Sequence, residues 1–185
     1  MIKKILLGLG LFILVLFIAM VITAKIFSST NNPKAKKEEI LKSNTQSSKK
    51  ALIVFQPGVS NFTDKIAHQI AKGLNDGGYE VTIDYPSKDL SKNVDNYSVI
   101  VFGSPVYGGK PLSIVTDYSS SLTNLSSKKI VVYSTGAGKN MTSELDIMEQ
   151  AIKNADVYKK VKFVTASKKE SEKNAYDFGK ELSEN

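Results

Sequence analysis

Residues 51–74 read ALIVFQPGVSNFTDKIAHQIAKGL, which is a short apolar run, a polar turn and an amphipathic stretch in succession. The run from Ala51 to Phe55 is typical of a strand that is buried on both faces. After the turn, apolar residues recur at the spacing of one helix face, at Ile66, Ala67, Ile70, Ala71 and Leu74. The stretch therefore predicts the first strand and helix of an α/β domain.

The same alternation continues to the end of the chain. Four further strands are predicted, at Glu80–Asp84, Val99–Phe102, Ile130–Tyr133 and Val161–Val164. Helices are predicted after the first, third, fourth and fifth strands, the one after the third strand beginning at Pro111 and the last running through Ala175, Phe178 and Leu182. Strands that alternate with helices form a parallel sheet, joined by right-handed crossovers and covered by helices on both faces. We therefore predict an α/β three-layer sandwich over residues 51–185.

A long apolar run precedes this domain. Residues 5–24 carry no charge, and as a helix they would be about 30 Å long, the thickness of a bilayer's hydrocarbon core. A cleaved secretory signal is the alternative, but signal cores are usually about 7–15 residues long and end in small residues. This run is longer and has Ile22 where a small residue is expected. We predict a retained transmembrane helix in residues 1–25 that contacts membrane lipid through residues 5–24.

The positive charge of the chain is confined to its amino-terminal part. The net charge is +7, and residues 1–50 hold nine lysines and two glutamates, whereas residues 51–185 hold equal numbers of basic and acidic residues. A nucleic-acid module would carry its cations on the folded domain, so no nucleic-acid partner is expected. Because more lysines follow the apolar run than precede it, a single-pass protein with a cytoplasmic domain is favoured, and the opposite orientation stays open.

Residues 26–50 are rich in serine, asparagine and lysine, a composition typical of a flexible linker. The chain has no cysteine and one histidine, His68. Thiolate and multi-histidine metal sites are therefore excluded, and no metal is expected. The helical position of His68 is opposite the apolar face, which predicts a solvated surface side chain.

Three polar loops follow the first, third and fourth predicted strands, at 56–63, 103–109 and 134–139. The carboxyl ends of parallel strands meet at one edge of the sheet, where open α/β sheets bind their ligands. Hydroxyl and backbone N–H groups at the start of a helix suit a phosphate. Each loop also has a purely structural interpretation, as a helix cap, a glycine turn or an incomplete P-loop. The position of all three loops at one edge favours a ligand site.

Three stretches of the domain resemble the flavodoxin family: FQPGVSNFTDKIAHQIAKGL, VIVFGSPVYGGKPL and KNAYDFGKEL. The resemblance covers nearly all of residues 51–185. It implies a flavodoxin-like fold, with a five-stranded parallel sheet in the order 2-1-3-4-5, and FMN as the cofactor. Carried over by position, the implied cofactor-binding residues are Pro57, Gly58, Ser60, Asn61 and Thr63 in the first loop, Ser104, Pro105, Val106, Tyr107, Gly108 and Gly109 in the second, and Ser134, Thr135, Gly136, Ala137 and Gly138 in the third.

Within this set, the resemblance assigns the phosphate to the first loop, ring stacking to Tyr107 and the reactive edge of the ring to Gly108. Residues 135–138 would lie along the other side of the ring. The first loop departs from the family pattern, because Gln56 and Pro57 stand first and the loop is longer before it reaches Thr63. Lys110 and Lys139 flank the ring loops, where flavodoxins are generally acidic, so a less negative low-potential couple is expected.

The resemblance implies an FMN-binding electron-transfer protein, tethered to the membrane, that exchanges electrons with a redox partner protein and uses no catalytic side chain. One alternative is a flavin reductase that acts on a quinone or porphyrinogen near the membrane. Another is a flavin-free scaffold with the same fold. The sequence has no insertion that would build a substrate pocket, which favours the electron carrier over the reductase.

Overall fold

The computed structural model describes residues 2–34, 37–43 and 49–184, which form five α-helices and seven strands. The helices are α1 (Ile2–Thr30), α2 (Phe62–Asp76), α3 (Ser113–Ser120), α4 (Ser143–Ala151) and α5 (Lys168–Glu184). The strands are β1 (Glu39–Leu41), β2 (Lys50–Phe55), β3 (Glu80–Asp84), β4 (Val99–Tyr107), β5 (Lys110–Pro111), β6 (Lys129–Gly136) and β7 (Val157–Val164). A short 3₁₀ turn, Thr165–Ser167, precedes α5.

The main sheet has the strand order β1-β3-β2-β4-β6-β7. All pairings among β3, β2, β4, β6 and β7 are parallel. These five strands follow one another in the order 2-1-3-4-5, so the predicted sheet is confirmed. The chain leaves β2 toward one side of the sheet and returns to the other side at β4. The crevice expected at such a reversal lies at the carboxyl ends of β2 and β4.

The central strands bury both of their faces because helices cover both sides of the sheet. Successive side chains of a strand point to opposite faces, so Ile53 and Phe55 pack against α2 and α5, whereas Leu52 and Val54 pack against α3 and α4. The predicted apolar face of α2 is entirely buried in the first of these clusters. The two clusters hold the strand ends, and the loops that follow them, in fixed positions.

An added edge strand, β1, is the main departure from the sequence-based prediction. Residues 39–41 belong to the predicted linker, yet they pair antiparallel with β3. The backbone N–H of Lys37 donates to Asp84 Oδ1 at 2.8 Å, and the Lys37 ammonium lies 3.1 Å from Asp64 Oδ1. His68 Nε2 lies 3.1 Å from a carboxylate oxygen of Glu39, so His68 is half-buried rather than solvated. The rest of the linker prediction at residues 35–36 and 44–48 lies outside the described residues.

Several element boundaries also differ from the prediction. The fourth predicted strand continues to Gly136, so residues 134–136 of the predicted third loop are strand residues, and the fifth begins at Val157. The third predicted strand continues to Tyr107, because residues 103–107 pair with β6 and with β5. The helix predicted from Pro111 begins at Ser113 instead, since Pro111 pairs with Val106. Proline lacks an N–H group, so it suits a strand edge as well as the first turn of a helix.

Among the described residues, one helix is long and apolar enough to cross a membrane, from Leu6 to Thr30, with a mean hydropathy of 2.9. None of its apolar window is buried against the domain. The helix α1 extends past the predicted end of the anchor, at residue 25, into the predicted linker.

Helices α2 and α5 contact each other backbone to backbone at Gly73 and Gly179. A Cβ atom at Gly73 would lie 2.2 Å from the carbonyl oxygen of Tyr176, and one at Gly179 would lie 2.3 Å from that of Ile70. Gly73→Ala should therefore push the helices apart and lower the free energy of unfolding by about 1–3 kcal/mol. Urea denaturation would measure the loss. Gln69→Ala, one turn earlier on the same helix, is the control, and an equal loss in both variants would contradict this explanation.

Candidate functional site

The loop after the third parallel strand is a β-hairpin. Tyr107 pairs with Lys110, and the two residues between them, Gly108 and Gly109, have φ values of 58° and 76°. A two-residue turn with positive φ at both positions is type I′, which glycine adopts without strain. Both glycines are therefore required by the turn itself. The hairpin places Tyr107 at the carboxyl edge of the sheet.

Tyr107 connects this hairpin to the first loop. Its hydroxyl accepts a hydrogen bond from the backbone N–H of Val59 at 2.7 Å. A Cβ atom at Gly58 would lie 3.0 Å from that hydroxyl and 3.2 Å from the Cβ of Pro105. The first loop therefore passes close to the hairpin, and Gly58 permits the approach.

The half-buried Tyr107 also lines a groove against α1. An open, mostly apolar groove of about 460 Å³ lies between Tyr107 and the last turns of α1. Its other lining residues are Met20, Thr23, Ala24 and Ile26. The carboxy-terminal part of α1 thus lies beside the aromatic residue of the candidate site.

A second cleft, of about 170 Å³, separates the hairpin from the loop after β6. It is lined by Val106, Gly109, Gly136, Ala137, Gly138, Met141 and Lys162. Five of these residues belong to the predicted cofactor-binding set. Because Gly109 carries no side chain and has open space around its Cβ position, the hairpin leaves this side of the cleft clear.

Thr63, predicted at the phosphate, and Thr135, predicted at the flavin ring, contact each other under the loops. Thr63 Oγ1 and Thr135 Oγ1 share a hydrogen bond of 2.7 Å, and both residues are buried. The hydroxyl of Tyr133, below them, donates to the carbonyl of Thr63 at 3.3 Å. This contact joins the start of α2 to the end of β6, so it fixes the first and third loops relative to each other.

Two of the predicted serines also support the loops from below. The Ser104 hydroxyl accepts a hydrogen bond from the Leu112 N–H at 2.8 Å, which holds the hairpin against the start of α3. The Ser134 hydroxyl donates to Glu144 at 2.7 Å. Both serines are fully buried. In the first loop, by contrast, Ser60 and Asn61 are exposed at the start of α2, and Pro57 is half-buried.

A buried ion pair lies under the cleft, between Glu144 and Lys162. The Lys162 ammonium lies 2.6 Å from Glu144 Oε1, with the two side chains 6% and 0% exposed. Lys162 also donates to the carbonyl of Met141. Burial raises the pKa of Glu144, but hydrogen bonds from Lys162 and Ser134 outweigh burial and hold that pKa below its ordinary value. The pair therefore fixes a cation in the wall of the cleft.

Gln56, the first residue of the first loop, is fully buried. Its amide nitrogen donates to the backbone carbonyls of Thr30 at 2.7 Å and Asn32 at 2.9 Å. The departure of this loop from the flavodoxin pattern therefore coincides with a contact to the end of α1.

Sequence reasoning did not find Lys162, Met141 or Glu144. Lys162 had one signal, since it is a charged residue between two apolar ones in a predicted strand and so alternates to the opposite face. Nothing near Met141 or Glu144 in the sequence indicates the site. Their positions depend on how α4 packs beside β6 and β7.

No family model and no curated protein matches the chain. Solved structures match its fold. A flavodoxin of Streptococcus pneumoniae TIGR4 superposes with a TM-score of 0.61 at 20% identity, covering 73% of this chain and 98% of that one. Oxidised Flavodoxin 2 from Bacillus cereus superposes with a TM-score of 0.61 at 21% identity, and the match covers 73% of this chain and 98% of that one. A short-chain flavodoxin associated with a PDU bacterial microcompartment superposes with a TM-score of 0.59 at 17% identity, and the match covers 74% of this chain and 97% of that one. At such identities the likeness establishes a shared fold.

Proposed function

This chain has the flavodoxin-like fold, and we propose that its domain binds FMN at the carboxyl edge of the sheet and transfers electrons while α1 holds it at a membrane. The observation that carries the proposal is that the second and third loops line one cleft at the carboxyl edge of the sheet, with the first loop hydrogen-bonded to both of them. The solved flavodoxins that share the fold support it.

The residues at this edge fit a flavin. Gly109 leaves its side of the cleft clear, and the half-buried Tyr107, next to the cleft residue Val106 in β4, is bonded to the first loop at Val59. Tyr107, Gly109 and residues 136–138 would hold the ring. The exposed hydroxyl of Ser60 and the N–H groups in the first turn of α2 would hold the phosphate. Thr63 and Thr135 would support both parts from below.

Bound FMN supplies the one-electron and two-electron redox chemistry. The side chains of the protein bind and orient the cofactor and set the charge around it. Lys162 is the titratable residue in the lining of the cleft, and its ammonium is engaged by Glu144. A lysine held in an ion pair is poorly placed to transfer protons. The site therefore suits an electron carrier better than a catalyst that needs an acid or base.

A flavin reductase for a quinone or porphyrinogen is the second candidate. The apolar groove between Tyr107 and α1 favours it, because the groove gives a lipid-soluble ring access to the same edge of the sheet. Turnover of NAD(P)H and menadione by the purified full-length protein distinguishes the two functions. A carrier should show no turnover beyond that of free FMN at equal concentration. Turnover far above free FMN would replace the carrier by the reductase.

Two exposed lysines, Lys110 and Lys139, flank the ring loops. Positive charge favours the extra negative charge of reduced flavin, although exposed charges are partly screened by salt. Lys110→Glu and Lys139→Glu should each make the low-potential couple more negative, by tens of millivolts, in a redox titration at low ionic strength. Lys153→Glu, at the other end of the sheet, is the matched control. A potential that stays unchanged in both test variants would show that these charges do not act on the ring.

A further inference from the structure

The carboxyl end of α1 is attached to the domain by two sets of hydrogen bonds. The first set comes from Gln56, whose amide nitrogen donates to the carbonyls of Thr30 and Asn32. The last carbonyls of a helix have no partner within the helix, and a fully buried glutamine supplies one here. Thr30 itself is 6% exposed. The end of the anchor helix is thus part of the domain's buried structure.

The second set comes from Asn31 and caps α3. Asn31 Nδ2 donates to Ser113 Oγ at 2.7 Å, and Asn31 Oδ1 accepts from the backbone N–H of Ile114 at 3.1 Å. The residue at the cap position of α3, Leu112, makes no side-chain cap bond. Asn31 therefore caps α3, although it lies far from α3 in the sequence. Since α3 follows the hairpin directly, both attachments lie at the edge of the sheet that carries the cleft.

The length of the helix sets the height of this edge above the bilayer. Residues 5–24 fill the hydrocarbon core, and the six residues from Lys25 to Thr30 add about 9 Å. The headgroup layer on each side of a bilayer is about 5–8 Å thick. The attachment at Thr30 therefore lies at the outer margin of the headgroups. Tyr107 lies closer to the lipid, because the groove that it shares with α1 is lined by Ile26 and also by Met20, Thr23 and Ala24, at the boundary of the hydrocarbon core.

We infer that the loop edge of the domain is a surface for anionic lipid headgroups, held facing the bilayer by the docked end of α1. This inference rests on the anchoring part of the proposed function and not on the flavin. A flexible tether would let the domain turn freely, whereas the bonds of Gln56 and Asn31 fix one orientation. Access to the candidate cofactor site would then come from the membrane side or from the rim beside it.

The charge of this edge suits anionic lipid. A pocket of about 330 Å³ beside Asn31 and Pro33 is lined by Lys88 and Lys92, both exposed, together with Ser87 and Ser113. Asp117 is the acidic residue in the lining. Among the described residues, no carboxylate lies within ion-pair distance of either lysine. Lys34, Lys110 and Lys139 add exposed positive charge near the same edge, and each such lysine contributes about 1 kcal/mol when it lies close to an anionic surface.

Site-specific fluorescence quenching in vesicles tests the orientation. The chain has no cysteine, so single cysteines can be labelled in the full-length protein. Lys110→Cys marks the loop edge, and Ser127→Cys marks the opposite edge, about 26 Å away along the eight residues of β6. The vesicles contain phosphatidylcholine with a quarter of phosphatidylglycerol and a lipid that carries a quencher at its headgroup. We expect severalfold stronger quenching of a bimane label at position 110 than at position 127.

Two further variants separate docking from charge. Asn31→Ala, which changes no residue of the core, should reduce the difference between the two labels, since the domain would then turn more freely. Lys88→Glu combined with Lys92→Glu should reduce quenching at position 110 in vesicles that contain phosphatidylglycerol. Equal quenching of both labels in the otherwise unchanged protein would overturn the inference. An effect of Asn31→Ala without an effect of the lysine variant would overturn its headgroup part.

These outcomes are distinct from failure of the proposed function. A protein that does not float with the vesicles would overturn the anchoring, and the inference with it. Strong quenching at position 110 in a protein that ignores added FMN would overturn the cofactor assignment and leave the orientation standing.

Discussion

Lys162→Met should lower the free energy of unfolding by about 3–5 kcal/mol, because it leaves the carboxylate of Glu144 buried without its cation. Glu144 is fully buried, and its Oε2 has no hydrogen-bond partner among the described residues. Solvent water therefore cannot replace Lys162 as the partner of this carboxylate. Chemical denaturation at neutral pH, followed by circular dichroism, measures the change. The double variant Lys162→Met and Glu144→Gln should recover much of the loss, since it removes the unpaired charge.

Lys160→Met is the matched control for this variant. Lys160 lies two residues earlier on the same strand and pairs with Asp146 and Glu149 at 2.8 and 2.6 Å, but these groups are exposed to solvent. Exposed ion pairs contribute little to stability, so Lys160→Met should change the unfolding midpoint only slightly. Equal losses in the two variants would show that burial of the Glu144 pair has no special importance.

The same pair gives a pH dependence of known sign. The folded-state pKa of Glu144 lies below its ordinary value of 4.5. A lowered pKa means that the stabilisation is fully present above pH 4.5 and is lost as the pH falls through the folded-state pKa. The stability difference between the unchanged protein and Lys162→Met should therefore shrink on acidification from neutral pH. A difference that stays constant or grows would contradict the assignment of an ionised Glu144.

Tyr107→Ala should weaken FMN binding by about 10- to 100-fold, which corresponds to about 1–3 kcal/mol for the loss of an aromatic stacking partner. Quenching of flavin fluorescence during titration measures the affinity. Tyr107→Phe is the control, because it keeps the ring and removes only the hydroxyl that accepts the Val59 N–H. Phenylalanine should retain most of the affinity. An alanine variant with unchanged affinity would remove Tyr107 from the ring site.

Much of the fold could be predicted because it depends on local patterns. The strands are recognised as short apolar runs, such as Ala51–Phe55. The buried face of α2 is recognised because its apolar residues recur with the period of a helix. The added strand β1 could not be found in this way, because three residues in a lysine-rich segment are too few to show a period. The prediction of a helix start at Pro111 is wrong because proline suits both the first turn of a helix and the edge of a hairpin, where Pro111 lies.

The candidate site was less predictable because its contacts join distant residues. The resemblance to flavodoxins pointed to the three loops, and the structure brings Val106, Gly109 and residues 136–138 of them into one cleft. Sequence gave no sign that Thr63 and Thr135, 72 residues apart, bond to each other. The partner of Gln56 could not be predicted either, because its hydrogen bond to Thr30 depends on where the end of α1 contacts the domain. Such pairs follow from the packing of whole elements.

The visible absorption spectrum of the purified full-length protein, recorded before and after the addition of FMN and a gel-filtration step, tests flavin binding most directly. Our account predicts flavin absorption bands that travel with the protein, displaced from those of free FMN, with quenched flavin fluorescence and about one flavin per chain, as expected for the single crevice of such a sheet. A folded protein that elutes colourless after incubation with FMN would contradict the account, and it would leave a domain of this fold that works without a flavin.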